Sequence, residues 1–467
     1  MSETADPNLV IGAPEPKRPR HGLVVAGVCA LVLVVVLGVG AVFAYQRLTT
    51  TGAASPTSAV TELLDGLADQ NLRDVGRYLS PAELDELEPV VDATRDYAAQ
   101  QPDASQLQQD AADLLGAFSV ELSDVETTEE PIGTGLTKVS LESANIAVDV
   151  DSAELTSRAK TLRDDYASYL RANGHDDDAE SLGKEVTDAR IDKLVRRLES
   201  STTFPYHTTL DDLRREMDAA DGLYLVTTEE DGRWYVSPSM TAGEYAFEDQ
   251  QKGDAGLTRG AMPSGDGAAY SSPEAATTGL LQALTTFSKD GDLRTLADSL
   301  PAAERRFVDV YAIPLSDYDP QSVAGSGDVL TLDKDDVSVA ADKDDWARVR
   351  LDDVQLTDTK DHSVVRVYDG TCVASSEQGS SDDECLQDVL ENAIGSIPSE
   401  YMTGELSTLP GALRDLVEGF PYDQVGVVAL RQDGSWHVGA VPTVGDWYGL
   451  LLPSLEKLTD SVDALAS

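Results

Sequence analysis

Residues 231–245 read DGRWYVSPSMTAGEY, and residues 433–447 read DGSWHVGAVPTVGDW. Aligned without a gap, they share Asp, Gly, Trp, Val, Thr and Gly, while Glu244 faces Asp446 and Tyr245 faces Trp447. Each stretch continues an alternating apolar run, GLYLVTTEE at 222–230 and QVGVVALRQ at 424–432. Asp-Gly between two such runs predicts a tight hairpin, because a type I′ turn needs positive φ and Gly adopts it without steric cost. Successive side chains on the return strand alternate faces. Trp234 and Val236 therefore share one face with Tyr235 on the other, and Trp436 and Val438 share one with His437 opposite. The shared residues are apolar, so Trp234 and Trp436 are expected as core anchors. Tyr235 and His437, where the copies differ, are the candidate pocket or surface positions.

Working outward, the match extends through both halves of the chain, as expected of an internal duplication. Ser55 opens SPTSAVTELLDGLADQNLRDVGRYLSPAE and Ser272 opens SPEAATTGLLQALTTFSKDGDLRTLADSLPAAE. Each starts with Ser at an N-cap and Pro at the first helical position. Val60, Leu63, Leu64 and Leu67 form one apolar stripe, and Leu280, Leu281, Leu284 and Phe287 form the other. Leu79 matches Leu300, Glu83 matches Glu304, Lys138–Leu141 match Arg348–Leu351, and Leu213-Arg214 match Leu413-Arg414, all in the same order. Strand pairs are predicted at 118–126 with 137–148 and at 336–340 with 347–356, and a further single strand at 362–374. A helical block over 152–215 interrupts the first repeat. Leading helices and a closing meander make each repeat an α+β domain with an antiparallel sheet.

The segment Gly22–Ala44 carries no charge over 23 residues, and about 20 apolar residues span a bilayer. Lys17, Arg18 and Arg20 precede it, which orients a single-pass plasma-membrane helix with a cytoplasmic N-terminus and the bulk of the chain outside. The alternative is a cleaved signal peptide ending at Val42-Phe43-Ala44, but signal cores are usually about 7–15 residues. The expected layout is a cytoplasmic tail (1–21), a transmembrane helix (22–45) and a stalk (46–54). An extracytoplasmic repeat (55–247), a flexible Gly/Ala/Ser-rich linker (248–271) and a second repeat (272–467) follow. Cys372 and Cys385 then lie in an oxidising compartment and are expected to form a disulfide. No Cys or His stands near them at zinc spacing.

Net charge is −49, and the tail's three bases balance its three acids, so the excess lies in the rest of the chain. Such a field repels nucleic acid and excludes it as a partner. Catalytic signatures are missing: the chain holds no G-x-S-x-G, H-E-x-x-H or P-loop pattern. Of five histidines His21 falls on the expected cytoplasmic side, and His175, His207, His362 and His437 have no ligand spacing and are expected at surface or turn positions. LDKDDVSVAADKDDW fails the EF-hand template, with Ser338 and Asp344 where Gly and Glu are required. No metal or cofactor is implied.

GDLRTLADSLPAAE together with the closing D-G-x-W-x-V hairpin resembles the nuclear-transport-factor-2-like superfamily. It is similar in particular to membrane-anchored actinobacterial envelope proteins of the mammalian-cell-entry-associated type. The resemblance implies helices packed in the concave face of a curved sheet, around a cone-shaped pocket. The helical block 152–215 departs from that pattern. The leading expectation is a non-catalytic envelope binding or scaffold protein, with an envelope protein or a lipid-like molecule as partner. The alternatives are a carrier or sensor of a hydrophobic small molecule in the cone, or an isomerase or hydrolase using a polar group on its floor.

Overall fold

The computed structural model describes residues 51–100, 102–216, 222–253, 256–265, 267–314, 329–377, 380–395 and 409–466. The expected tail, the membrane segment Gly22–Ala44 and most of the stalk lie outside them. Among the described residues, no helix is long and apolar enough to cross a membrane.

The two serines start the repeats in the same way. Ser55 (φ −149°, ψ 161°) and Ser272 (φ −148°, ψ 160°) are extended, and each hydroxyl accepts the N–H three residues on, from Ser58 and Ala275. One orphan donor of each helix start is thereby satisfied. In the first repeat α1 (Pro56–Ala68) leads into α2 (Leu72–Arg77), α3 (Pro81–Glu86), α4 (Glu88–Gln100) and α5 (Pro102–Leu115). A long ribbon of β1 (Phe118–Gly133) and β2 (Leu136–Val150) follows, then α6 (Ser152–Ala172), α7 (Asp176–Glu185) and α8 (Asp188–Ser201). The repeat ends with β3 (Tyr206–Thr209), α9 (Leu210–Glu216), the hairpin β4 (Leu223–Glu230) and β5 (Arg233–Val236), and α10 (Pro238–Gly253).

In the second repeat α11 (Pro273–Asp290) and α12 (Leu293–Ala297) precede α13 (Ala302–Phe307), which runs on into a wider turn over Val308–Ala312. The strands are β6 (Leu330–Asp342), β7 (Trp346–Asp358), β8 (Val364–Tyr368), β9 (Cys372–Glu377) and β10 (Ser380–Cys385). After α14 (Leu386–Gly395) and α15 (Leu409–Gly419) come the closing hairpin β11 (Val427–Gln432) and β12 (Ser435–Gly439), and α16 (Ala440–Ala466).

Both sheets are antiparallel and wired alike. The edge of β2 away from β1 is shared, with Leu136–Leu141 pairing β4 and Asn145–Val148 pairing β3. The edge of β7 away from β6 is shared in the same order, with Trp346–Val349 pairing β11 and Asp353–Thr357 pairing β8. Each insertion therefore leaves from the far end of the second strand and returns to the same place beside it. Both closing turns have positive φ at Asp and Gly (Asp231 51°, Gly232 73°; Asp433 49°, Gly434 82°), as the type I′ expectation requires.

The leading helix of each repeat fills one face of its sheet with side chains. Ala59, Val60 and Leu63 pack with Val75, Val139 and Val236, and Ala276 packs with Val349, Ala429 and Val438. Each buried Val or Leu stabilises the fold by about 1.5–3 kcal/mol.

Three expectations need correction. The stretch 248–271, read as a flexible linker, begins inside α10 and then straps onto the body. Leu257 is buried among Met240, Phe247 and Tyr311; Gly260 N–H donates to Val310 O (2.8 Å) and Ala268 N–H to Asp298 O (2.7 Å). Irregular chain held by backbone hydrogen bonds leaves no apolar periodicity to detect. The single strand expected at 362–374 is a hairpin turning at Asp369-Gly370 (φ 50° and 78°). The block 152–215 is helical through α8, but Tyr206–Thr209 rejoins the sheet.

Cys372 and Cys385 form a disulfide. They face each other across β9 and β10, with Cα atoms 3.9 Å apart.

Candidate functional site

The two matched stretches have the same job in both repeats. Trp234 exchanges backbone hydrogen bonds with Ala53 (2.8 and 3.0 Å), and Trp436 N–H donates to Tyr270 O (3.0 Å). In each case the partner stands two residues before the N-cap serine, so the last strand grips the first residues of its own repeat. Both indoles are half-buried and pack on the cores under the leading helices. Thr241 and Thr443 hydroxyls accept the N–H groups of Val226 (2.9 Å) and Val428 (2.8 Å), and donate to Ser237 O and Gly439 O. Tyr245 OH accepts Tyr224 N–H (3.0 Å), and Trp447 Nε1 donates to Gly426 O (2.7 Å), at the equivalent place on the neighbouring strand. Glu83 accepts Ser239 N–H (3.2 Å) at the start of α10, and Glu304 accepts Val441 N–H (2.6 Å) at the start of α16. A carboxylate at a helix N-terminus neutralises its exposed donors.

Glu244 and Asp446 are almost fully buried, at 0% and 1% exposure. Each is gripped bidentately by an arginine: Glu244 by Arg259, and Asp446 by Arg348 (both contacts 2.6 Å). The arginines come from different places, the connecting strap and β7. A fork-on-carboxylate pair is the geometry that lets a buried charge survive.

Gly243 and Gly445 make the seam between the repeats. A Cβ on Gly243 would lie 2.5 Å from the Tyr311 ring, and one on Gly445 would lie 2.3 Å from Val90 Cγ2. Counted on from the Glu83/Glu304 match, Val90 and Tyr311 are equivalent. The closing helix of each repeat thus packs on the matching helical segment of the other, the reciprocity of a two-fold interface. The seam is rich in acid. Glu86 is 3% exposed, and its Oε1 accepts Glu304 N–H (3.1 Å). Burial, then repulsion from Glu304, pushes its carboxyl up to about 9. Asp85 is exposed at the rim of the seam; partial loss of water first, then repulsion from Glu230, Asp345 and Asp433, pushes its carboxyl up to about 6. Burial and then Asp345 raise Glu88 to about 7. Arg306 is the counterweight, 2.6 Å from Glu230. Burial would raise Glu230, but Arg306, Ser80 and Thr228 together hold it below its usual value. Among the described residues no group of three or more His, Cys, Asp or Glu is placed to hold a metal.

Tyr235 and His437, expected at a pocket or the surface, are buried at 5% and 4% exposure. They occupy the sheet face opposite the leading helices, which the sequence alternation assigned correctly but could not show to be covered. His437 Nδ1 has no hydrogen-bond partner; burial first, then the Arg305 charge, lowers its pKa, so the ring is neutral at pH 7. Neither residue lines the ≈ 1020 Å³ cavity under the connecting strap, which is walled by Arg259, Arg294, Asp298, Arg305, Asp309 and Met262 among others. Its mixed charges suit a polar ligand, not an acyl chain. Comparison with protein-family models, with curated proteins and with solved structures finds no match.

The seam and the strap had faint signals at most. Thr and Gly recur in both closing stretches, yet nothing local says that the Thr satisfies a strand or that the Gly meets the other repeat.

Proposed function

We propose that this protein is a non-catalytic binding or scaffold component of a cell envelope, anchored by Gly22–Ala44 with both repeats outside. The observation that carries the reading is the use made of the duplicated stretch. Every shared or equivalent residue in it supports backbone, core or seam, and among the described residues none converges with a nucleophile, base or metal set. A rigid two-repeat body locked through its own closing helices suits presentation of surfaces. The carrier alternative draws less support, because the space under each leading helix is occupied by Val60, Val139 and Val236 or by Ala276, Val349 and Val438. The isomerase alternative needs a polar group on a pocket floor, and neither Tyr235 nor His437 lines the strap cavity. The envelope setting rests on the charge-free segment, the disulfide and the resemblance to tandem nuclear-transport-factor-2-like domains, in which helices cover a curved sheet.

The test is photo-crosslinking in cells from exposed positions on each repeat, with protease shaving of intact cells as the topology control. A discrete adduct and cleavage from outside are expected. Complete protection from external protease, or no adduct from any position, would overturn the proposal.

A further inference from the structure

The helical insertion of the first repeat carries a surface at odds with the rest of the chain. α8 buries Ile191 and Val195, the latter with Leu198 against Phe118 and Val150 at the end of the β1–β2 ribbon. Its outer face presents Arg190, Lys193, Leu194 and Arg197, at i, i+3, i+4 and i+7 and therefore on one stripe. All four are exposed, and Leu194 is 58% exposed in the middle of the cations. Arg196 is exposed beside them. Two of the three carboxylates of the same helix, Asp188 and Asp192, turn to Arg163 and Lys160 of α6, at 2.6 and 2.8 Å, and the third, Glu199, lies outside the 190/193/194/197 stripe. Several other bases of the insertion are paired, among them Arg158 with Glu154 and Lys184 with Glu180. Among the described residues Lys193, Arg196 and Arg197 make no ion pair. In a chain with 84 acids for 35 bases, carboxylates to neutralise them are abundant, yet among the described residues none is paired with these three. Among the described residues the second repeat shows no such basic stripe, and its insertion begins with the strands β8–β10.

We propose that this stripe of α8 docks an acidic, leucine-containing segment of a partner protein, with Leu194 as the apolar anchor and Arg190, Lys193 and Arg197 pairing its carboxylates. Charge complementarity selects an anionic partner, and a large exposed apolar side chain ringed by cations selects one with its own apolar contact. The position argues against a bilayer, a step that rests on the proposed membrane anchor. The described chain enters at Ala53, which pairs with Trp234 near the Gly135 end of the ribbon, whereas α8 sits at the Val150 end. At about 3.3 Å per residue the length of β2 separates them by roughly 45 Å, several Debye lengths of about 8 Å at physiological salt.

The test uses the full-length chain in mild detergent and a labelled helical peptide of glutamate and leucine at i, i+3, i+4 spacing. A lysine-for-glutamate version of the peptide and vesicles of equimolar phosphatidylglycerol and phosphatidylcholine are probed in parallel. Fluorescence anisotropy should show binding of the acidic peptide only, weakened by salt. K193E/R197E should raise the Kd by about tenfold or more and L194S by several-fold, with unchanged circular dichroism and melting because these side chains are exposed. Equal affinity in variant and wild type, or no binding of the acidic peptide, overturns the proposal. So does vesicle binding that the variants abolish while peptide binding stays unchanged, which would assign the stripe to a lipid surface. None of these readouts depends on whether Gly22–Ala44 spans a membrane.

Discussion

Glu86→Gln should stabilise the protein above neutrality and change it little near pH 5. In the folded chain Glu86 is buried between the repeats and its carboxyl is raised from 4.5 to about 9. A group that holds its proton more tightly when folded contributes its full stabilisation below the unfolded pKa. That contribution is lost as pH rises toward the folded pKa. Each unit of that climb costs ~1.36 kcal/mol, so between about pH 5 and about pH 7.5 the wild type loses roughly 3 kcal/mol through this residue. Gln is neutral at every pH, matches the shape and keeps an acceptor for Glu304 N–H, so the variant escapes the loss. Asp85 and the half-exposed Glu88 titrate in the same direction, but they are present in both proteins and cancel in the difference. Differential scanning calorimetry at the two pH values should therefore show the Tm gap between variant and wild type opening by about 5 °C at the higher pH. Parallel curves for the two proteins would refute the claim that Glu86 is held protonated at the seam.

Arg348→Ala should cost about 3–5 kcal/mol, because it leaves Asp446 buried without its bidentate partner; chemical denaturation of R348A, D446A and the double variant would show a large coupling, and additive losses would contradict it. Gly243→Ala should destabilise by about 1–3 kcal/mol through contact of the new Cβ with the Tyr311 ring, and combining it with Tyr311→Ala should recover part of the loss in urea melts. Removing the disulfide with C372S/C385S should cost about 3 kcal/mol, seen as a lower denaturation midpoint that reductant no longer shifts, whereas reductant shifts the wild type to the same value.

The closing hairpins were legible because Asp-Gly is a local signal whose backbone demand is unambiguous. The helix starts at Ser55 and Ser272 were legible for the same reason: capping chemistry lies within three residues. Strand boundaries were less so, since β1 continues to Gly133 through an acidic run that alternation does not mark as a strand. Asp369-Gly370 carries the same turn signal as the closing hairpins, yet the short run between it and Cys385 hid a second strand pair. The strap failed for a different reason. Leu257 is buried by parts of the chain far away in sequence, and no periodic pattern announces an isolated anchor. The site residues divide likewise: alternation put Tyr235 and His437 on one face, but only the chain packed over that face decides that it is closed.

The reciprocal seam has a consequence for how such a molecule could arise. A single repeat bearing both halves of this contact, a closing helix and the segment that receives it, would be a symmetric homodimer. Joining two copies in one chain replaces dependence on protein concentration with a tether, which typically supplies effective concentrations in the millimolar range. It also lifts the constraint that every substitution be felt twice. Arg306 meets Glu230 on one side of the axis, while the matching positions hold Asp85 and Gln432. A homodimer would have to accept that ion pair at both places or at neither. The tandem chain can differentiate its two sides independently, and the cation-lined helical insertion of the first repeat is what that freedom permits.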